Sequence, residues 1–169
     1  MDSLIDSQFR QVSQHGIAEV RQRLSNGQQA LFASKAFNEG ETISLFSAGI
    51  ISPAPTYLTV QIDLEKHITL QPEFLQYINH SCAPNAFFDT RSMQLIALKN
   101  IRVNEEITFF YPSTEWEMAQ PFHCFCGRSQ CLGEIKGAAF VAENILKQYR
   151  LTHFIQQQLA KRSTRKVRA

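Results

Sequence analysis

INHSCAPN, residues 78–85, sets an asparagine, a histidine, a serine and a cysteine side by side, with a proline two residues past the cysteine. Such a run does not alternate as a half-buried strand does. If its polar groups are buried, each needs a partner. The cysteine is also isolated, because the other three lie more than forty residues further on. What Asn79, His80 and Cys82 reach for decides how the chain folds.

The distant cysteines stand close together in CFCGRSQC, where Cys124, Cys126 and Cys131 follow a C-x-C-x4-C spacing. Three thiolates this close suit one tetrahedral Zn²⁺ better than an apolar core. His123 is adjacent to Cys124 and badly placed to join them. A fourth ligand must come from elsewhere, and Cys82 is the cysteine that is left. On spacing alone, four unrelated buried thiols are the alternative. A site closed by four thiolates leaves no open position for water, so this zinc is expected to be structural.

At 169 residues and 44% apolar the chain has enough material for one cored domain with a small appendage. Thirteen phenylalanines imply that most are core. No apolar run approaches bilayer length, so no membrane contact is expected. The start, MDSLIDSQFRQ, lacks the pattern of a secretion signal. These features point to an intracellular protein of cytoplasm or nucleus, where thiols stay reduced and tend to bind metal. Charge is uneven. Residues 1–134 hold nine Lys/Arg against fourteen Asp/Glu, and residues 135–169 hold eight against one. The acidic body suits a cationic substrate. The tail KRSTRKVRA is either a solvated end or a weak contact for nucleic acid or an acidic partner.

Residues 1–16 read as a polar segment, loosely ordered or briefly helical. From Ile17 the pattern predicts short strands: ALFASKAF, TISLFSAGII, YLTVQIDL and HITL. PEFLQYI is a short helix or turn opened by proline. AFFDT and MQLIALKNI form a hairpin, and EEITFFY is the last strand. PSTEWEMAQPF is loop. Beyond Gly137, apolar residues at 141, 145 and 149, then 151, 155 and 159, predict one bent helix or two short ones. The expected divisions are 1–16, 17–121, 122–134 and 135–169.

Taken together, LFASKAFNEGETI (31–43), INHSCAPN, NEEITFFY (104–111) and CFCGRSQCLG (124–133) resemble the motifs of SET-domain lysine methyltransferases with a post-SET zinc segment. Four motifs in the right order, over roughly residues 27–134, make the resemblance specific. It implies a mainly β (α+β) fold of small sheets around a threaded, knot-like core, an exception to the rule against threading. To this are added a post-SET zinc loop and a C-terminal helix. The resemblance also implies S-adenosylmethionine on one side of the site and a lysine entering a channel from the other. Cys82 becomes the fourth zinc ligand, and Tyr111 the catalytic residue. Gln29, Ala30, Leu31, Asn79, His80 and Phe125 are the cofactor contacts, while Phe46 and Phe109 line the substrate channel. Phenylalanine at 109 implies more than one methylation.

Methyl transfer from a sulfonium needs a neutral amine, yet lysine has a pKa of about 10.4. Desolvation and the nearby sulfonium charge favour loss of the proton. Against the family pattern, GQQALFA lacks glycines next to Leu31. Phe46 and Phe110 replace a tyrosine and an aspartate. The stretch 52–77 is short, which implies an open cleft, or a wall lent by the helix after Gly137 or by a second copy. The expected activity is S-adenosylmethionine-dependent N-methylation of a lysine, most often in a basic protein. A free amino acid or small amine, and a non-catalytic zinc-stabilised module, are the alternatives.

Overall fold

The computed structural model describes residues 8–167, with side chains to residue 164. Five small sheets carry the described residues. In the first, β1 (Phe9–Gln14), β2 (Ala18–Arg23) and β3 (Gln29–Ala33) form an antiparallel meander. β1 corrects the expectation of a loose or helical start over the described part of residues 1–16. Its polar sequence hides a strand because only Phe9 has an aromatic neighbour. That ring meets Phe32 edge-on at 5.0 Å and lies under the Arg23 guanidinium. Residues 1–7 lie outside the described structure.

The run 42–51 is not one strand. β4 (Thr42–Leu45) and β5 (Ser47–Ser52) part at Phe46, whose ring is buried and whose amide bonds to the Met93 carbonyl. β5 joins β6 (Val60–Asp63) and β7 (Lys66–Gln71), with β7 central. A 3₁₀ turn, Glu73–Tyr77, leads into β8 (Asn79–His80). The expected hairpin forms as β9 (Ala86–Asp89) and β10 (Gln94–Ala97), and β10 also pairs with β4.

EEITFFY gives only a two-residue strand, β11 (Thr108–Phe109), and it lies parallel to β8. This pairing also involves Asn85, the last residue of the opening stretch. Its Oδ1 accepts from the Thr108 amide at 2.8 Å, and its Nδ2 donates to the Glu106 carbonyl at 2.8 Å and to a Glu105 carboxylate oxygen at 3.2 Å. Asn85 is buried, yet its side chain is fully satisfied. It fastens residues 78–85 to residues 105–109. β11 is not the last strand, because β12 (Phe122–His123) and β13 (Glu134–Ile135) bracket the cysteine loop.

The C-terminal part forms two helices, α1 (Glu143–Leu146) and α2 (His153–Val167), after a 3₁₀ turn at Ala138–Phe140. Two apolar cores result. The larger fills the space between the sheets around Phe37, Phe88, Leu95 and Ile107. The smaller joins Phe110 to Leu146, Leu151, Phe154 and Ile155. Phe110 stacks on Tyr149 at 3.7 Å with rings nearly parallel. This position thus serves packing, which explains an aromatic ring where a carboxylate was expected.

Candidate active site

The four cysteine sulfurs lie within 4.8 Å of one another, and no disulfide forms among them. A tetrahedral zinc with bonds near 2.3 Å requires sulfurs about 3.8 Å apart, and Cys82 and Cys124 are at 4.0 Å. The set fits the ion. Burial pushes the Cys82 thiol up to about 11 and raises that of Cys124 as well. A bound cation would offset the cost of ionising Cys82 and Cys124, whereas Cys126, despite burial, is drawn down to about 7 by hydrogen bonds to its sulfur. The Leu132 amide donates to the Cys82 sulfur at 3.4 Å.

His80 connects this cluster to the site. Its Nδ1 accepts the Tyr111 backbone N–H at 3.2 Å. An amide can only donate, so in the neutral ring the proton sits on Nε2. Nε2 lies 3.3 Å from the Cys82 sulfur and donates to it. Burial lowers the His80 pKa to about 4, which keeps the ring neutral at physiological pH. One side chain thus orients a cysteine of the cluster and pins the backbone of Tyr111.

The Tyr111 hydroxyl donates to the Ile78 carbonyl at 3.2 Å. Burial, then the charges of Glu106 and Glu115, raise its pKa, so the phenol keeps its proton at neutral pH. Asn79 uses Nδ2 twice, to the Gln29 carbonyl at 3.0 Å and a Glu106 carboxylate oxygen at 3.2 Å. Its Oδ1 has no protein donor among the described residues and is open to a ligand. Gln29 therefore meets Asn79 through its backbone. Ala30 and Leu31 turn their side chains into the interior, which leaves only their backbone for a ligand. Phe125 is 93% exposed and packs against none of these groups.

A cavity of about 270 Å³ opens beside Tyr111. Phe109 and Phe88 form its floor, meeting edge-on at 4.9 Å. Phe46 is not on its wall; it packs edge-on behind Phe88 at 5.3 Å. Residues 56–60 and 118–122 supply the sides. The short stretch 52–77 thus does yield a wall. The helices after Gly137 back that wall without lining it, since Ala138 N–H donates to the Glu115 carbonyl and Thr152 N–H to the Ser113 carbonyl. Most of the other lining residues were missed in the sequence, Phe122 and Glu115 among them. Phe122 lies edge-on to both His80 and Tyr111. Glu115 is a buried carboxylate whose signal in the sequence is no stronger than that of any loop acid.

Comparison with known proteins agrees with this arrangement. The SET-domain family matches residues 28–112. "Methyltransferase flvH" of Aspergillus flavus is 39% identical over 127 residues, covering 74% of this chain and 71% of that protein. Enzymes named "Histone-lysine N-methyltransferase, H3 lysine-36 specific" are similar over less. That of Chaetomium globosum is 37% identical across 37% of this chain, and that of Saccharomyces cerevisiae 33% identical across 41%. The chain spans only about a tenth or less of those two proteins, 8% and 10%. With the motifs in order, β8 against β11 and the cysteines gathered, the chain belongs to the SET-domain methyltransferase family.

Proposed function

We propose that this protein is an S-adenosylmethionine-dependent N-methyltransferase acting on a primary amine of the lysine type. The observation that carries the reading is the cavity that ends on Tyr111 and Phe109, with the open Oδ1 of Asn79 on the strand beside it. Bound S-adenosylmethionine supplies an electrophilic methyl group on a positively charged sulfur. Asn79 Oδ1 and the backbone of Gln29 and His80 would hold its polar end, and exposed Phe125 is free to cover its adenine. Tyr111 orients the incoming nitrogen, and the apolar walls strip it of water. Alignment of this kind accounts for several kcal/mol of barrier lowering. Zinc holds residues 122–134 against Cys82, and with them Phe122 on the cavity wall.

The reduced state required by the four thiols fits an intracellular setting. A small amine as substrate is the second reading. It is favoured because the relative matched along most of this chain is named only a methyltransferase, while the histone-directed relatives match a minority of it.

The test gives purified protein methyl-labelled S-adenosylmethionine and a cell extract, then separates products by size. The lysine reading predicts label in protein, falling on the order of 100-fold with Tyr111→Phe. Label confined to small molecules supports the second reading. Cofactor binding without any transfer would overturn both. The metal has its own test: one zinc per chain, lost on Cys82→Ser. A Cys82→Ser variant with full zinc would contradict the ligand set.

A further inference from the structure

Among the described residues, Glu115 is the one charged side chain that lines the cavity; the other lining residues are apolar or neutral. It is 7% exposed. The Gln61 amide at 2.9 Å and the Thr114 hydroxyl at 3.0 Å both donate to its Oε1. Neither partner is charged, so the carboxylate's charge is not neutralised. Its Oε2 has no protein donor among the described residues, yet is not sealed in the interior. An ionised carboxylate that is desolvated and unpaired is costly, and folds retain such a group chiefly where a ligand completes it. The cavity meanwhile has no Lys, Arg or His among its lining residues.

From this we infer that Glu115 is the counter-ion for the substrate's ammonium group as it enters, and takes up its proton before the neutral nitrogen meets the methyl group. The cavity takes a cationic amine on an uncharged, apolar stem, and it rejects an amine that carries a carboxylate beside the nitrogen. The inference deepens the methyltransferase reading and rests on it for the identity of the site. Apolar contact comes from Val60, Leu70, Leu75 and Phe109, while charge is met by Glu115 alone. An amino acid presented at its α-nitrogen would set its own carboxylate near Glu115, with no basic side chain on the wall to offset the repulsion. A lysine side chain, or an alkylamine of similar length, meets no such repulsion. Glu115 also has a clear division of labour with Tyr111. The phenol is neutral and aims the nitrogen, and the carboxylate supplies the charge.

The test reads binding, so it does not depend on turnover. Calorimetry compares hexylammonium, hexanol and hexanoate on the zinc-loaded protein at pH 8. The native protein should bind hexylammonium more tightly than hexanol and hexanoate least. Glu115→Gln keeps an oxygen for Gln61 and Thr114, and should weaken hexylammonium on the order of 10-fold or more while leaving hexanol unchanged. Glu117→Gln, two residues on and exposed, should change neither. Equal affinity for hexanoate and hexylammonium in the native protein, or an undiminished ammonium affinity in Glu115→Gln, would overturn the inference. Failure of the methyltransferase reading is seen separately. In that case hexylammonium still binds, but no methyl group passes to it from S-adenosylmethionine.

Discussion

Glu115 shows what a single residue costs and what it offers. Burial pushes its carboxyl up to about 7 from an ordinary 4.5. A carboxyl raised in the folded chain holds its proton more tightly there than in the unfolded chain, so its ionisation subtracts from stability as pH climbs from 4.5 toward 7. Without ligand, Glu115→Gln should therefore stabilise the protein at pH 8, on the order of 1–3 kcal/mol. The gain should vanish near pH 4.5. Denaturant titrations at the two ends of that window check it, and an equal difference at both would contradict the assigned burial. Asn85 is the opposite case, a buried polar residue with every bond made. Asn85→Ala removes three hydrogen bonds and strands the Thr108 amide, and should cost about 2–4 kcal/mol. These two residues differ in legibility. Asn85 closes the polar stretch 78–85, where any buried group needs a partner, although its partners lie at residues 105–108. Glu115 looks like its exposed neighbour Glu117, and the amide that marks it out belongs to Gln61, 54 positions away.

Among the elements, the C-terminal helices decide whether the cavity wall keeps its shape. Arg162, on α2, donates to the carbonyls of Ala138, Ala139 and Val141 and lies over the Trp116 ring at 5.6 Å. Gly137 lies so close to Trp116 that any added Cβ would come within 2.5 Å of its carbonyl oxygen. Arg162 thus ties α2 to the segment that carries Glu115. Arg162→Ala should lower stability by about 1–2 kcal/mol and raise the KM for amine more than the affinity for S-adenosylmethionine changes. Melting curves paired with cofactor titration check both parts. The apolar spacing predicted one bent helix or two short ones, and the chain forms a four-residue α1 and a longer α2. β1 was not legible, because a strand held by backbone pairing and one phenylalanine has no apolar alternation to display. Nor was the split of residues 42–51, since a β-branched run continues through Phe46 in sequence while the backbone changes sheets there.

Over the whole molecule, the site is an assembly of distant segments: 29–31, 56–60, 78–82, 109–115 and 118–131. The three clustered cysteines stood out by their spacing, and the other motifs by their resemblance to the family. The cavity did not stand out, because its walls meet only in the folded chain. The larger core contains no residue of the 122–134 loop, whereas Phe122 lines the cavity. Removing zinc with a chelator should therefore leave the far-ultraviolet circular dichroism near its starting value while methyl transfer is lost, and restoring zinc should recover activity. Loss of the sheet signal along with activity would mean that the metal holds the whole fold. No described helix is long and apolar enough to cross a membrane, and the acidic residues outnumber the basic ones through the catalytic part of the chain. That acidic excess suits a cationic substrate. The most direct test combines zinc-loaded protein, S-adenosylmethionine and hexylamine, and follows the amine by mass spectrometry. The account predicts N-methylhexylamine from the native protein and far less from Tyr111→Phe. Unmodified amine, with cofactor demonstrably bound and zinc in place, would contradict it.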